Sequence, residues 1–433
     1  MIPPRILEAD LTWTSERFEA GIRVEVGSDG RIAAVGPELA GKVERLRRRA
    51  LLPGFVDVHS HAFQIGLRGR GESFPAGRGS FWSWREAMYE LVEGLTPERM
   101  KALSLRTFRE MRRAGITAVG EFHYLHHADP AAADFALDAA VIEAAREAGI
   151  RLVLLASYYR TGGPGRPLEG GQKRFDGVSL DRFLAHVESL AHDLDPARES
   201  LGLAPHSLRA ASPEEILALD REAARRGWPL HLHLEEQQRE IEEVFSIYGR
   251  TPVELLLDAM GAAGAHPRTG IHLTHTQPEQ LAELLGRGWI AGLCPLTEGN
   301  LGDGIPRLAE VAPPRPLALG SDSNLRISML ENLRWLEHGQ RLRSERRGLL
   351  AERPAIELLR AATTAGADSL ALPAGRIEAG AWADFAVVDL GHPALAEIGA
   401  DELPEALVFG APDDVVIATA VGGDFQEHRA PAA

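Results

Sequence analysis

The chain has 433 residues, 45% hydrophobic and 25% charged, with a formal charge of -15. That composition suits one large domain plus a smaller one, or two domains, and its acidity argues against nucleic-acid binding, whose affinity comes mostly from cationic side chains meeting phosphates. No apolar run reaches the ~18 residues of a membrane span, the first ten residues lack a signal-peptide pattern, and Cys294 as the sole cysteine makes a reducing cytoplasm the expected setting.

Residues 1–50 read as β-rich, with a hairpin signal at Gly27–Gly30 between the alternating runs 21–26 and 31–35. From Phe55 the texture changes to short apolar strands alternating with longer helical patterns. Strands are expected at 55–60, 116–122, 150–157, 200–205, 229–234, 270–275, 289–293 and 316–320. Helices are expected at 98–114, 131–148, 213–226 and 252–263, then around 327–346 and 353–370. Eight strands with intervening helices predict a (β/α)8 TIM-type barrel. An open doubly wound sheet is the alternative, but no Gly-x-Gly-x-x-Gly turn follows any strand. The strands at 383–390 and 415–421 restore the β texture of the start. The expected assembly is therefore a small β-sandwich domain built from both termini, 1–52 and 373–433, around a barrel at 53–372.

In such a barrel, chemistry sits where strands end at the C-terminal face. The first strand ends in His59-Ser60-His61, two imidazoles on one face of the strand. Taken alone, that pair fits interior histidines as well as a metal site. The fifth strand ends in His233 with Glu236 three residues on, the sixth in His275, and the eighth in Asp322. Three histidines and an aspartate at successive strand ends match a divalent-metal site with an open position. An ion there lowers the pKa of water from ~15.7 toward ~7. Asp322 or His275 can take the water's proton, and Glu236 can pass it to a leaving nitrogen. Cys294 reads as a buried thiol rather than a nucleophile. Trp82 and Trp84 are expected to pack beneath Arg85.

Several longer phrases are more specific: 59–64, 81–86, 121–127, 206–210, 297–304 and 333–343. With the metal motif they resemble the amidohydrolase superfamily in its deaminase branch, and within it the deiminases acting on N-formimino-L-glutamate. The resemblance spans about residues 50–390. It implies hydrolysis of the formimino C=N to N-formyl-L-glutamate and ammonia, in histidine degradation, with one divalent metal per subunit, most simply Zn²⁺. It also implies His59, His61, His233 and Asp322 as ligands, Glu236 and His275 as proton carrier and water-orienting group, and a homodimer. Gln64, Arg85, Tyr124, His206 and Arg209 would bind substrate. A small dicarboxylate gives the two arginines a purpose, because guanidinium grips carboxylate in two-point fashion. Deamination of a nucleobase on the same scaffold is the alternative activity; nucleobases carry no carboxylates to clamp. His206 could instead belong to a second metal. No nucleic-acid or membrane partner is expected.

Overall fold

The computed structural model describes residues 3–70, 72, 81–262, 264 and 266–428; the side chains of residues 81–83 lie outside this description, and with them the expected packing of Trp82. Eight parallel strands form the barrel: Phe55–Ser60, Ile116–His123, Arg151–Tyr158, Glu199–Pro205, Leu230–Leu234, Arg268–His272, Trp289–Leu293 and Leu317–Leu319. Each pairs with the next in chain order. The first three are buried at every position, as strands covered on both faces should be. Between the last and first strands the ring closes through a bridge of Ser60 to Asp322. There Asp322 N donates to His59 O at 2.8 Å and His61 N to Asp322 O at 2.9 Å. Gly320 permits that approach, since a Cβ there would sit 2.7 Å from both Cβ and O of His59. Asp57 adds a clamp, its Oδ1 accepting from His59 N (3.2 Å) and Ser321 N (3.0 Å).

The helices begin where the sequence offers caps. Thr96 accepts from Arg99 N, and Ser212 with Glu215 and Thr251 with Glu254 form reciprocal capping boxes, each satisfying otherwise orphaned amides. Three expected helices are shorter or divided. The stretch from 131 becomes helical only at Ala136, because Asp134 first gathers the amides of Ala128, Asp129 and Ala136 into a loop. The helix from Pro252 stops at Ala259, where Met260 turns extended, and 353–370 divides into Pro354–Ala361 and Thr364–Ser369.

Both chain ends build a second, mixed sheet of eight strands. Val43–Pro53 pairs in parallel with Arg5–Trp13 and antiparallel with Phe385–Asp389. Sharing that strand joins the strands of both termini into one hydrogen-bonded sheet. Its face closes over a separate core that includes Leu7, Val24, Ile32 and Phe385. A buried two-point ion pair ties it to the barrel, Arg151 to Asp384 at 2.7 and 3.0 Å. Among the described residues no helix is long and apolar enough to cross a membrane.

Candidate active site

At the C-terminal mouth of the barrel, His59, His61, His233 and Asp322 converge. His61 Nε2 lies 3.4 Å and His59 Nε2 3.6 Å from Asp322 Oδ1. The His59 and His233 rings stand 4.8 Å apart, centre to centre. Ligands of a tetrahedral ion with ~2.0–2.1 Å bonds are themselves roughly 3.3 Å apart, so the spacing fits. Second contacts fix which nitrogen faces inward. His61 Nδ1 is 2.8 Å from the Phe122 carbonyl and His233 Nδ1 is 3.0 Å from the His206 carbonyl. Donation to those carbonyls leaves each Nε2 lone pair directed at the centre, the usual arrangement of metal-bound histidines.

His59 gives the sharpest test of fit. It is wholly buried, and neither ring nitrogen has a hydrogen-bond partner. Leaving such a group unsatisfied costs ~1–3 kcal/mol, and a cation beside Asp322 would take up the lone pair of Nε2, the nitrogen that faces it. Burial pushes His59 down to about 3 and holds His61 and His233 below the usual imidazole range, keeping all three neutral. Burial also works against the Asp322 charge, but the facing histidines outweigh it and hold the carboxyl at about 2. Neutral imidazoles with an ionised carboxylate are the states a divalent cation requires.

The sixth strand departs from expectation. It ends at His272, not at 275, because His272 and Leu273 adopt left-handed backbones with φ of 76° and 53°. His272 therefore takes the place expected for His275. Its Nε2 lies 4.0 Å from both Glu236 Oε1 and Asp322 Oδ2, and its Nδ1 is 3.4 Å from Glu298 Oε1. Burial opposes its protonation, but Glu236, Glu298 and Asp322 together raise it to about 10. Left-handed backbone at a bulky residue is strained, and such strain gathers at functional sites. His275 lies half-buried against the Asp303–Gly304 loop.

The remaining site residues line one cavity above the cluster. Gln64, Arg85, Tyr124, His206, Arg209 and Glu236 share it with His61, His233, His272 and Asp322. Gln64 Nε2 donates to Tyr124 Oη at 2.8 Å, leaving the amide oxygen buried and unpartnered. Arg85, on the helix Phe81–Glu93, donates to Tyr89 Oη at 2.7 Å. Arg209 Nη2 is 3.4 Å from Glu236 Oε2. His206 stacks at a tilt on His233, ring centres 4.5 Å apart. Its Nδ1 contacts Ser207 Oγ at 3.1 Å, and it stands outside the His59–His61–Asp322 ligand group.

Tyr89, Tyr159, Phe175 and Leu301 also line the cavity; Tyr159 directly follows the third strand, where the strand-end rule could have found it, whereas the other three lie on helices whose inward face that rule does not predict. Trp84 is buried in the cavity wall. Cys294 is fully buried, and burial pushes its thiol well above the usual range. His123, His126 and His186 all surround Asp138, at 3.0, 2.9 and 2.8 Å.

The model of the amidohydrolase family matches residues 50–425. The chain is 38% identical over 421 residues to a formimidoylglutamate deiminase of Pseudomonas aeruginosa, covering 93% of this chain and 91% of that one. It is 30% identical over 405 residues to a 5-methylthioadenosine/S-adenosylhomocysteine deaminase of Natronomonas pharaonis, covering 91% and 85%. Among solved structures, an amidohydrolase from Brucella melitensis superposes with a TM-score of 0.87 at 32% identity, over 98% of this chain and 96% of that one. A zinc-bound adenosine deaminase from Xanthomonas campestris shares the fold, with a TM-score of 0.80 at 22% identity over 98% and 93%. Barrel, strand-end histidines and aspartate, and sequence likeness over nearly the whole length agree: this chain belongs to the amidohydrolase family.

Proposed function

We propose that this protein hydrolyses N-formimino-L-glutamate to N-formyl-L-glutamate and ammonia, with one zinc ion held by His59, His61, His233 and Asp322. The observation that carries the substrate is the presence of two arginines, Arg85 and Arg209, in the cavity that opens onto the histidine–aspartate cluster. A dicarboxylate is gripped best by two such cations, one for each end, because guanidinium meets carboxylate in two-point fashion. The 38% identity with a formimidoylglutamate deiminase supports the same reading. When bound, the ion supplies Lewis acidity that brings water to its reactive form near neutral pH.

The chain's own residues do the rest. Glu236, between Arg209 Nη2 and His272 Nε2, is placed to carry a proton to the amidine nitrogen, which leaves as ammonia. His272 and Asp322 flank the space where water attacks, so either side of that water meets a hydrogen-bonding group. The buried Gln64 amide oxygen can accept from a substrate N–H, and Tyr124, fixed by Gln64, presents its ring to the cavity. Tyr89, Phe175 and Leu301 give the cavity an apolar wall, and the lower dielectric beside it strengthens the charge interactions inside.

Likeness to 5-methylthioadenosine/S-adenosylhomocysteine deaminases makes a purine substrate the competing reading. An ammonia-release assay decides between them. N-formimino-L-glutamate should turn over, with N-formimino-L-aspartate slower and guanine, cytosine and adenosine inert. Ammonia from a nucleobase or nucleoside but not from formiminoglutamate would overturn the proposal.

A further inference from the structure

A largely buried guanidinium needs a counter-charge, and Arg209, its side chain 13% exposed, has two candidates. One is Glu236, whose Oε2 lies 3.4 Å from Nη2. In the proposed reaction, however, Glu236 gains and loses a proton each turnover, and it faces the cavity. The other is Glu240, in the first turn of the helix Gln238–Tyr248 and only 2% exposed. Glu240 does not line the cavity that Arg209 and Glu236 share. Its Oε2 accepts from Glu236 N at 3.3 Å, anchoring the carboxylate to the strand-end turn. Its Oε1 faces Arg209 Nε at 3.9 Å, and both atoms are buried without a hydrogen-bond partner. A small rotation of either side chain closes that gap.

We infer that Glu240 is a positioning residue that holds Arg209 from behind, aiming its Nη face into the cavity for a substrate carboxylate. The substrate then takes the place of Glu236 on Arg209, freeing Glu236 for proton transfer, while Glu240 stays in place. Glu240 touches no substrate atom; it acts through Arg209. The same residue holds the amide of Glu236, so one carboxylate sets the position of both the clamp and the proton carrier.

This inference rests on the dicarboxylate reading, and its test separates the two. Steady-state ammonia release from N-formimino-L-glutamate is measured for zinc-loaded unaltered protein, Glu240→Gln, Arg209→Met and the double variant. Gln still offers an acceptor to Glu236 N but removes the charge facing Arg209. Glu240→Gln should raise KM about tenfold with kcat within about twofold and zinc content unchanged. On the Arg209→Met background the same change should raise KM no further, because interaction free energies of contacting residues do not add. A KM unmoved by Glu240→Gln, an equal rise on both backgrounds, or a fall in kcat at constant KM overturns the inference. Should Glu240→Gln fail to fold, Glu240→Asp keeps the charge but shortens its reach. A KM rise confined to the Arg209 background then supports the inference, and an equal rise on both overturns it. Inactive unaltered protein overturns the dicarboxylate reading itself.

Discussion

Two histidines three residues apart, His272 and His275, carry the clearest residue-level contrast in the site. Only His272 stands in the cavity with Glu236 and Asp322. His272→Asn should lower kcat by about 10²-fold or more, as loss of a positioned acid–base group does, with metal content retained. His275→Asn should keep near-normal kcat; a large kcat loss in His275→Asn alone would reverse the assignment. Arg85→Met and Arg209→Met should each lower kcat/KM for formiminoglutamate about 10²-fold, from loss of a charged hydrogen bond of ~3 kcal/mol. Comparable kcat/KM in both variants would remove the dicarboxylate clamp. His59, His61, His233 and Asp322 were legible because an apolar strand that ends in histidine or aspartate delivers that side chain to the mouth of the barrel. His272 was not, since a run of Ile-His-Leu-Thr-His carries no mark of the left-handed turn that ends the strand. Glu240 was hidden for a different reason, because an acidic residue in a helix's first turn reads as an ordinary N-terminal charge.

At the level of elements, the end of the second barrel strand depends on a polar hub. His126 Nδ1 meets Asp138 at 2.9 Å while its Nε2 meets the Ser157 carbonyl at 2.7 Å. Both partners only accept, so His126 is doubly protonated and forms a buried ion pair with Asp138. Burial pushes Asp138 upward, but His126, with the hydrogen bonds from His123 and His186, outweighs it and holds the carboxyl well below its ordinary range. The contribution of Asp138 to stability is therefore complete above the unfolded value of ~3.9 and fades as pH falls through the lower folded value. Asp138→Asn strands a buried cation and should cost about 3–5 kcal/mol at neutral pH. Denaturant midpoints from pH 7 to 3 should show the gap between the two proteins narrowing toward acid. A gap that stays constant, or is absent at pH 7, would contradict the paired hub. Because Phe122 O orients His61 and Tyr124 lines the cavity, this hub also sets the site's edge. The histidines at 123, 126 and 127 were visible in sequence, but Asp138 and His186 come from separate helices, and only folding brings them together.

For the molecule as a whole, the barrel and the terminal sheet meet through a fully buried pair, Arg151 and Asp384. Asp384→Asn should destabilise by about 3–5 kcal/mol, read as a lowered denaturant midpoint; an unchanged midpoint would show the sheet to be a passive appendage. The barrel was legible because its strands are short, apolar and evenly interrupted. That both termini build one small β-domain was legible from the β texture that returns after the last helices, but the order of its strands was not, since local patterns do not say which strands pair. Everything proposed for the molecule turns on whether the histidine–aspartate cluster loads an ion that drives deimination. The direct measurement is ammonia release from N-formimino-L-glutamate by metal-stripped protein titrated with zinc. Activity should rise linearly to one equivalent and then level off. Full activity in stripped protein, or a metal-loaded protein that releases no ammonia from this substrate, would contradict that central claim.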